Sequence, residues 1–125
     1  DAYSWLYPWN ISRLRNLNFL SLTRFSLGDC FFYTLPGLSK LTELCLHDCY
    51  NVCRLELSGI NRLTNLKKLK LENTRGSNLD PVSILMEGKL SGLRYLSVTR
   101  TSSDVPELHQ RLPNLRQCFF PRPLL

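Results

Sequence analysis

No stretch of this 125-residue sequence approaches the roughly 18 consecutive apolar residues that a membrane-crossing helix needs. A membrane role is therefore not expected. No basic segment leads into an apolar stretch near the start, so no signal peptide is visible. The chain begins at Asp1 and not at methionine, from which we expect a fragment of a longer protein. Glycine is scarce and scattered, six residues in all, and none of it forms the glycine-rich loop that cradles a phosphate. Paired carboxylates suited to general acid–base chemistry are absent. Histidine occurs twice, at His47 and His109. His47, Cys49 and Cys53 lie close together, but a zinc site needs a second pair of ligands at short loop spacing, and only His109 remains to supply one. No catalytic residue, metal or other cofactor is expected in this segment.

What is present is leucine in a fixed rhythm. The clearest instance is Leu63-Thr-Asn-Leu66-Lys-Lys-Leu69-Lys-Leu71-Glu-Asn-Thr74, with leucines three, three and two apart and a small polar residue three positions further on. The phrase returns from Leu14, Leu38 and Leu90, and more loosely from Leu112. Its third leucine falls at Leu20, Leu44, Leu69 and Leu96, with Cys118 in the last copy, so the steps are 24, 25, 27 and 22 residues. In x-x-L-x-L-x-x the side chains alternate, two leucines to one side and their neighbours to the other, as in a half-buried strand. Strands are expected at Phe19–Leu22, Glu43–Leu46, Lys68–Leu71, Tyr95–Val98 and Gln117–Phe120. A strand so short cannot bury a leucine face alone; five stacked in parallel can bury it against one another. Parallel neighbours need a return segment, which accounts for steps longer than a hairpin allows.

The L-x-x-L-x-L phrase, its closing Cys or Thr and its period resemble the leucine-rich repeat, over about Leu14 to Phe120. The irregular return segments make the style similar to the repeats of intracellular nucleotide-binding immune receptors and of F-box adaptors. The resemblance implies an α/β fold: a solenoid with a curved parallel sheet on the concave side and an irregular, short-helical convex side. It divides the chain into a preceding partial repeat or cap (1–13), a solenoid of about five repeats (14–120) and a tail (121–125). Extracellular members usually carry cysteine-clustered caps, and none is seen here. The five cysteines, Cys30, Cys45, Cys49, Cys53 and Cys118, are an odd number, read as reduced, buried thiols of a cytoplasmic protein. In members with cysteine at the closing position it packs inside, which is the expectation for Cys49. Cys118 takes an inward leucine position, so pairing with His109 as a nucleophile is not expected. Asn10-Ile11-Ser12 is a glycosylation sequon, a pattern common by chance.

Between the phrases the sequence is irregular. Asp1 to Arg13 carries Tyr3, Trp5, Tyr7 and Trp9, read as a cap on the first strand in preference to an aromatic binding patch. Phe31, Phe32 and Tyr33, within Gly28 to Pro36, are read as core in preference to an exposed anchor. Val52 to Leu57 alternates as a short extra strand. Asp80-Pro81 through Gly88 has the cap, first-turn proline and terminal glycine of a short helix, and Ser103 to Arg111 repeats the idea. Pro121 and Pro123 cannot continue a paired strand.

The residues between the inward leucines form columns across the expected concave face. One reads Phe19, Glu43, Lys68, Tyr95, Gln117; the next reads Ser21, Cys45, Lys70, Ser97, Phe119; the third reads Thr23, His47, Glu72, Thr99, Pro121. On and beside them lie Arg24, Lys67, Lys68, Lys70, Arg94, Arg100, Arg116 and Arg122 against Glu43, Asp48 and Glu72, a balance of +5 in a chain of net charge +6. A face of one sign attracts acidic partners and speeds encounter. Exposed charge contributes little by itself, so Phe19, Tyr95 and Phe119 are the expected anchors. Candidate partner-binding residues are therefore Phe19, Arg24, Lys67, Lys68, Lys70, Arg94, Tyr95, Arg100, Arg116 and Phe119. The resemblance implies a non-catalytic module for protein recognition, in ligand sensing or in regulation of neighbouring domains of the same chain. The alternative is nucleic-acid binding, with the cations on phosphates and Tyr95 or Phe119 stacked on bases.

Overall fold

Each repeat opens with a turn written L-x-x-L. In Leu14–Leu17, Leu38–Leu41, Leu63–Leu66, Leu90–Leu93 and Leu112–Leu115 the second leucine's amide donates to the first leucine's carbonyl, at 3.0, 3.0, 3.0, 3.0 and 3.1 Å. The computed structural model in which these turns are seen describes residues 14–26, 35–50, 58–74, 85, 90–99 and 108–119.

Each turn launches a strand. These are β1 (Phe19–Thr23), β2 (Glu43–His47), β3 (Lys68–Glu72), β4 (Tyr95–Val98) and β5 (Gln117–Phe119). The first three run one residue past the expected ends, and Phe120 lies outside the described residues. The strands form one five-stranded sheet in chain order, every neighbouring pair parallel. Register is locked at the strand entrance, where one carbonyl accepts two amides of the following repeat. Asn18 takes Thr42 and Glu43 at 2.8 and 3.1 Å, Thr42 takes Lys67 and Lys68 at 2.8 and 3.0 Å, and Lys67 takes Arg94 and Tyr95 at 2.8 and 3.0 Å. A slip of one residue would turn every leucine outward.

The alternation of the sequence is the alternation of burial: β1 and β3 switch between outer and buried residues at every step. Leu20, Leu44, Leu69 and Leu96 are register partners and form one continuous internal row. Leu22, Leu46, Leu71 and Val98 form a second, and the turn leucines complete the core. Full burial of each leucine stabilises by about 1.5–3 kcal/mol. Leu14, in the first of these turns, is 52% exposed, where its counterparts Leu38, Leu63, Leu90 and Leu112 are buried. Cys118 completes the first row only partly buried, packed against the core.

The strands end at a bend. Arg24, Asp48 and Asn73 hold φ of 61°, 55° and 53°. Asn and Asp enter this left-handed region readily; arginine does so at a cost of about 1–2 kcal/mol. The bend points the chain back toward the return side. There Leu35–Gly37 and Ser58–Arg62 form 3-10 turns that pack on each other, and Leu108–Arg111 forms a short helix, α1. Leu35 and Ile60 enter the core from this side. Of the helix expected from Asp80 to Gly88, Leu85 is described; it is helical and fully buried. Of the helix expected from Ser103 to Arg111, the described part is α1. The expected cap in 1–13, the aromatic stretch Phe31–Tyr33, the extra strand at 52–57 and the tail at 121–125 lie outside the described residues. No helix among the described residues is long and apolar enough to cross a membrane.

Candidate functional site

The outward residues of the sheet stand in the columns expected from the sequence. Phe19, Glu43, Lys68, Tyr95 and Gln117 are successive register partners, as are Ser21, Cys45, Lys70, Ser97 and Phe119. Their side chains group into two poles.

The first pole is basic and aromatic. The Lys68 ammonium lies 4.8 Å from the centroid of the Tyr95 ring, and the Lys70 ammonium lies 5.7 Å from the same centroid. Tyr95 in turn packs on Phe119, with centroids 5.5 Å apart and planes tilted by 42°. Both lysines come from β3 two residues apart, and Tyr95 is the register partner of Lys68 on β4. Adjacent strands thus bring two cations to one ring. Ring–cation attraction at an exposed site is worth about 0.5–1 kcal/mol. Among the described residues neither ammonium has a carboxylate within 4.0 Å. Phe119 remains 49% exposed and Phe19, at the other edge of the sheet, 52%.

The second pole sits at the exits of β2 and β3. His47 Nδ1 is 3.3 Å from a Glu72 oxygen and Nε2 is 3.7 Å from an Asp48 oxygen. The other Glu72 oxygen accepts from the Ser97 hydroxyl at 3.1 Å. Asp48 accepts from the Asn73 carboxamide at 3.1 Å, and the Asn73 amide donates to the Thr99 hydroxyl at 2.5 Å. Ser97 belongs to the outward column yet is buried, at 3% exposure. Its short side chain stands between Lys70 and Phe119 in the register and is tied down to Glu72. The sequence already placed His47 and Glu72 in one column. Counting charge over the whole face concealed that two of its three acids, Asp48 and Glu72, collect at the exit end, with Glu43 left at the entrance.

The ten candidate residues separate accordingly. Phe19, Lys68, Lys70, Tyr95 and Phe119 share the open sheet face. Lys67, Arg94 and Arg116 stand at the strand entrances, and Lys67 lines a separate depression of about 460 Å³ with Asn18, Lys40, Thr42 and Asn65. Arg24 stands exposed at the exit bend of β1. Arg100 lies outside the described residues. A shallow depression of about 480 Å³ on the sheet face, bounded by Phe19, Ser21, Cys45, His47, Lys70 and Glu72, connects the two poles.

Cys45, Cys49 and Cys118 are free thiols. Cys49 is fully buried and donates weakly to the Leu22 carbonyl at 3.5 Å, the inside position expected of it. The expectation that Cys45 is buried needs correction. It occupies the outward column on the sheet face and stays partly exposed, because the strand period of two places it opposite Leu44 and Leu46. Burial pushes all three thiols up; at Cys45 the Lys70 and Lys68 ammoniums pull the other way, and at Cys49 backbone hydrogen bonds do. All three are therefore protonated and weakly nucleophilic near neutral pH. Among the described residues no group of His, Cys, Asp and Glu is disposed to hold a metal ion.

No protein-family model matches the chain, and no curated protein matches it.

Proposed function

We propose that this chain is a leucine-rich-repeat recognition module, non-catalytic, that binds an acidic protein or peptide partner on the open face of its parallel sheet. It would serve within a larger cytoplasmic receptor or adaptor, of the immune-receptor or F-box style. The observation that carries this reading is the convergence of Lys68 and Lys70 on Tyr95, beside exposed Phe119, on strands held in register. Cations with no ionic partner among the described residues, next to accessible aromatic surface, are what a recognition site needs: charge for encounter, rings for anchorage. The polar cluster favours binding over catalysis. Both imidazole nitrogens of His47 face carboxylates, and the buried Ser97 hydroxyl donates to Glu72. That hydroxyl meets a carboxylate but is only 3% exposed, out of a substrate's reach. Three free thiols among the described residues suit a reducing compartment.

The test is a peptide-display selection on the chain, followed by affinity measurements on surface variants. The double reversal Lys68→Glu with Lys70→Glu is expected to weaken the selected binders by well over tenfold, which is more than about 1.4 kcal/mol. Arg62→Glu and Arg111→Glu, exposed on the return side, are expected to leave binding unchanged. The reverse ranking would move the site off the sheet.

A further inference from the structure

The geometry points to a particular ligand chemistry for this face: a peptide in which a pair of acidic residues stands directly beside an aromatic one. Lys68 and Lys70 hold the acids, and Tyr95 with Phe119 receives the ring. This rests on the reading of the sheet as a peptide-binding face and goes further by fixing which residue types occupy it, and where.

Several observations combine. The two ammoniums lie 4.8 and 5.7 Å from one ring centroid, so both charges are presented at one spot on the face. Gathering like charges is unfavourable, and among the described residues no carboxylate within 4.0 Å relieves it. A doubly anionic segment relieves it on binding, and the ordering of two long side chains is already partly done. The ring that gathers them continues into Phe119 at 5.5 Å, half-exposed at the side of the cluster. A third aromatic ring placed there packs edge-to-face on the pair, in an arrangement worth about 0.5–1.5 kcal/mol beyond its buried area.

The surroundings set the boundaries of the acidic segment. Glu43 is the register partner of Lys68, and Glu72 and Asp48 surround His47 at the strand exits. Acids in the ligand are thus accepted over the entrance half of β3 and β4 and repelled toward the exits. This interleaving also disfavours a nucleic acid, whose evenly spaced phosphates need a continuous track of cations. Here the cations of the sheet face stand on one strand, β3, with Glu43 and Cys45 beside them on β2, and Tyr95 and Ser97 beside them on β4.

The experiment is fluorescence anisotropy on the full chain with short labelled peptides whose central residues are Glu-Glu-Tyr, Glu-Glu-Gly or Gln-Gln-Tyr, and with single-stranded oligouridine. Glu-Glu-Tyr is expected to bind most tightly, and losing either the acids or the ring to weaken binding about three- to tenfold. Lys68→Gln with Lys70→Gln brings Glu-Glu-Tyr down to the level of Gln-Gln-Tyr. Tyr95→Leu, which removes the receiving ring, weakens binding of Glu-Glu-Tyr. Equal affinity for Glu-Glu-Tyr and Gln-Gln-Tyr overturns the proposal, as does tighter binding of oligouridine than of Glu-Glu-Tyr. Changing the peptide alone leaves the protein untouched, so these outcomes do not depend on any variant folding. The display selection separates the two levels. Binders that lack the acid–aromatic pattern yet are lost on the double reversal Lys68→Glu with Lys70→Glu overturn this inference and leave the sheet as the binding face. Binders indifferent to the double reversal overturn both.

Discussion

Leu69→Ala is expected to lower the free energy of unfolding by about 2–5 kcal/mol, and Lys70→Ala by less than about 0.5 kcal/mol. The two residues are neighbours on one strand with opposite surroundings. Leu69 is fully buried, between Leu44 and Leu96 in the internal row. Removing its isobutyl group takes away contacts on both sides and leaves a cavity in a stack of parallel strands, whose backbone cannot close in without breaking register. Lys70 stands on the open face, and its ring contact at 5.7 Å is near the limit of about 6 Å beyond which ring–cation attraction fades. Urea unfolding of both variants, at unchanged slope, checks this. A domain of ordinary stability has about 5–15 kcal/mol to lose, so the first change removes a large share and the second almost none. Equal losses would mean that side chains do not alternate along β3.

The double reversal Lys68→Glu with Lys70→Glu is expected to reduce affinity for an acidic partner by well over tenfold, while Lys67→Glu alone changes it little. From the sequence the three lysines form one basic run. In the fold Lys67 belongs to the strand entrance and its own depression, whereas Lys68 and Lys70 meet at Tyr95. The double change replaces two attractive charges with two repulsive ones, next to Glu43 and Glu72 on the face. Like charges directly opposite across a sheet cost about 0.2–1 kcal/mol each, so some stability is lost as well, and the affinity should be read well below the variant's unfolding midpoint. The wild-type affinity should fall with added salt and the variant's should not. Binding that survives the double reversal would exclude the sheet face as the site.

The sheet was legible in the sequence because two periods reinforce each other. A strand repeats every two residues, and the repeat recurs every 22 to 27, so aligning Leu20, Leu44, Leu69 and Leu96 also aligns every outward column. The return segments carry no such double constraint. They differ in length, and their contribution to the core comes as single residues: Leu35 and Ile60 each stand three positions before the leucine phrase, but Leu85 stands five before it, so the offset does not hold along the chain. At the site, residue positions could be read but pairings could not. Whether Lys70 turns to Glu72 or to Tyr95 depends on side-chain rotamers, and the gathering of His47, Asp48 and Glu72 depends on the bend after β2, where Asp48 is left-handed. Cys45 shows the limit of composition: cysteine is usually buried, but strand parity outranks that tendency and turns this one outward.

Cys45 and Cys49 offer the most direct check on that parity. One stands in the outward column of β2, the other inside against Leu22, with burial pushing both thiols up, so access and not thiolate content separates them. The native chain should be treated with a thiol-alkylating reagent and the extent of modification at each cysteine followed by mass spectrometry, with and without denaturant. The expected result is steady modification of Cys45 in the native state and protection of Cys49 until the chain unfolds. Modification of Cys49 as fast as Cys45 under native conditions would contradict the stacked, alternating strands on which both the core and the binding face depend.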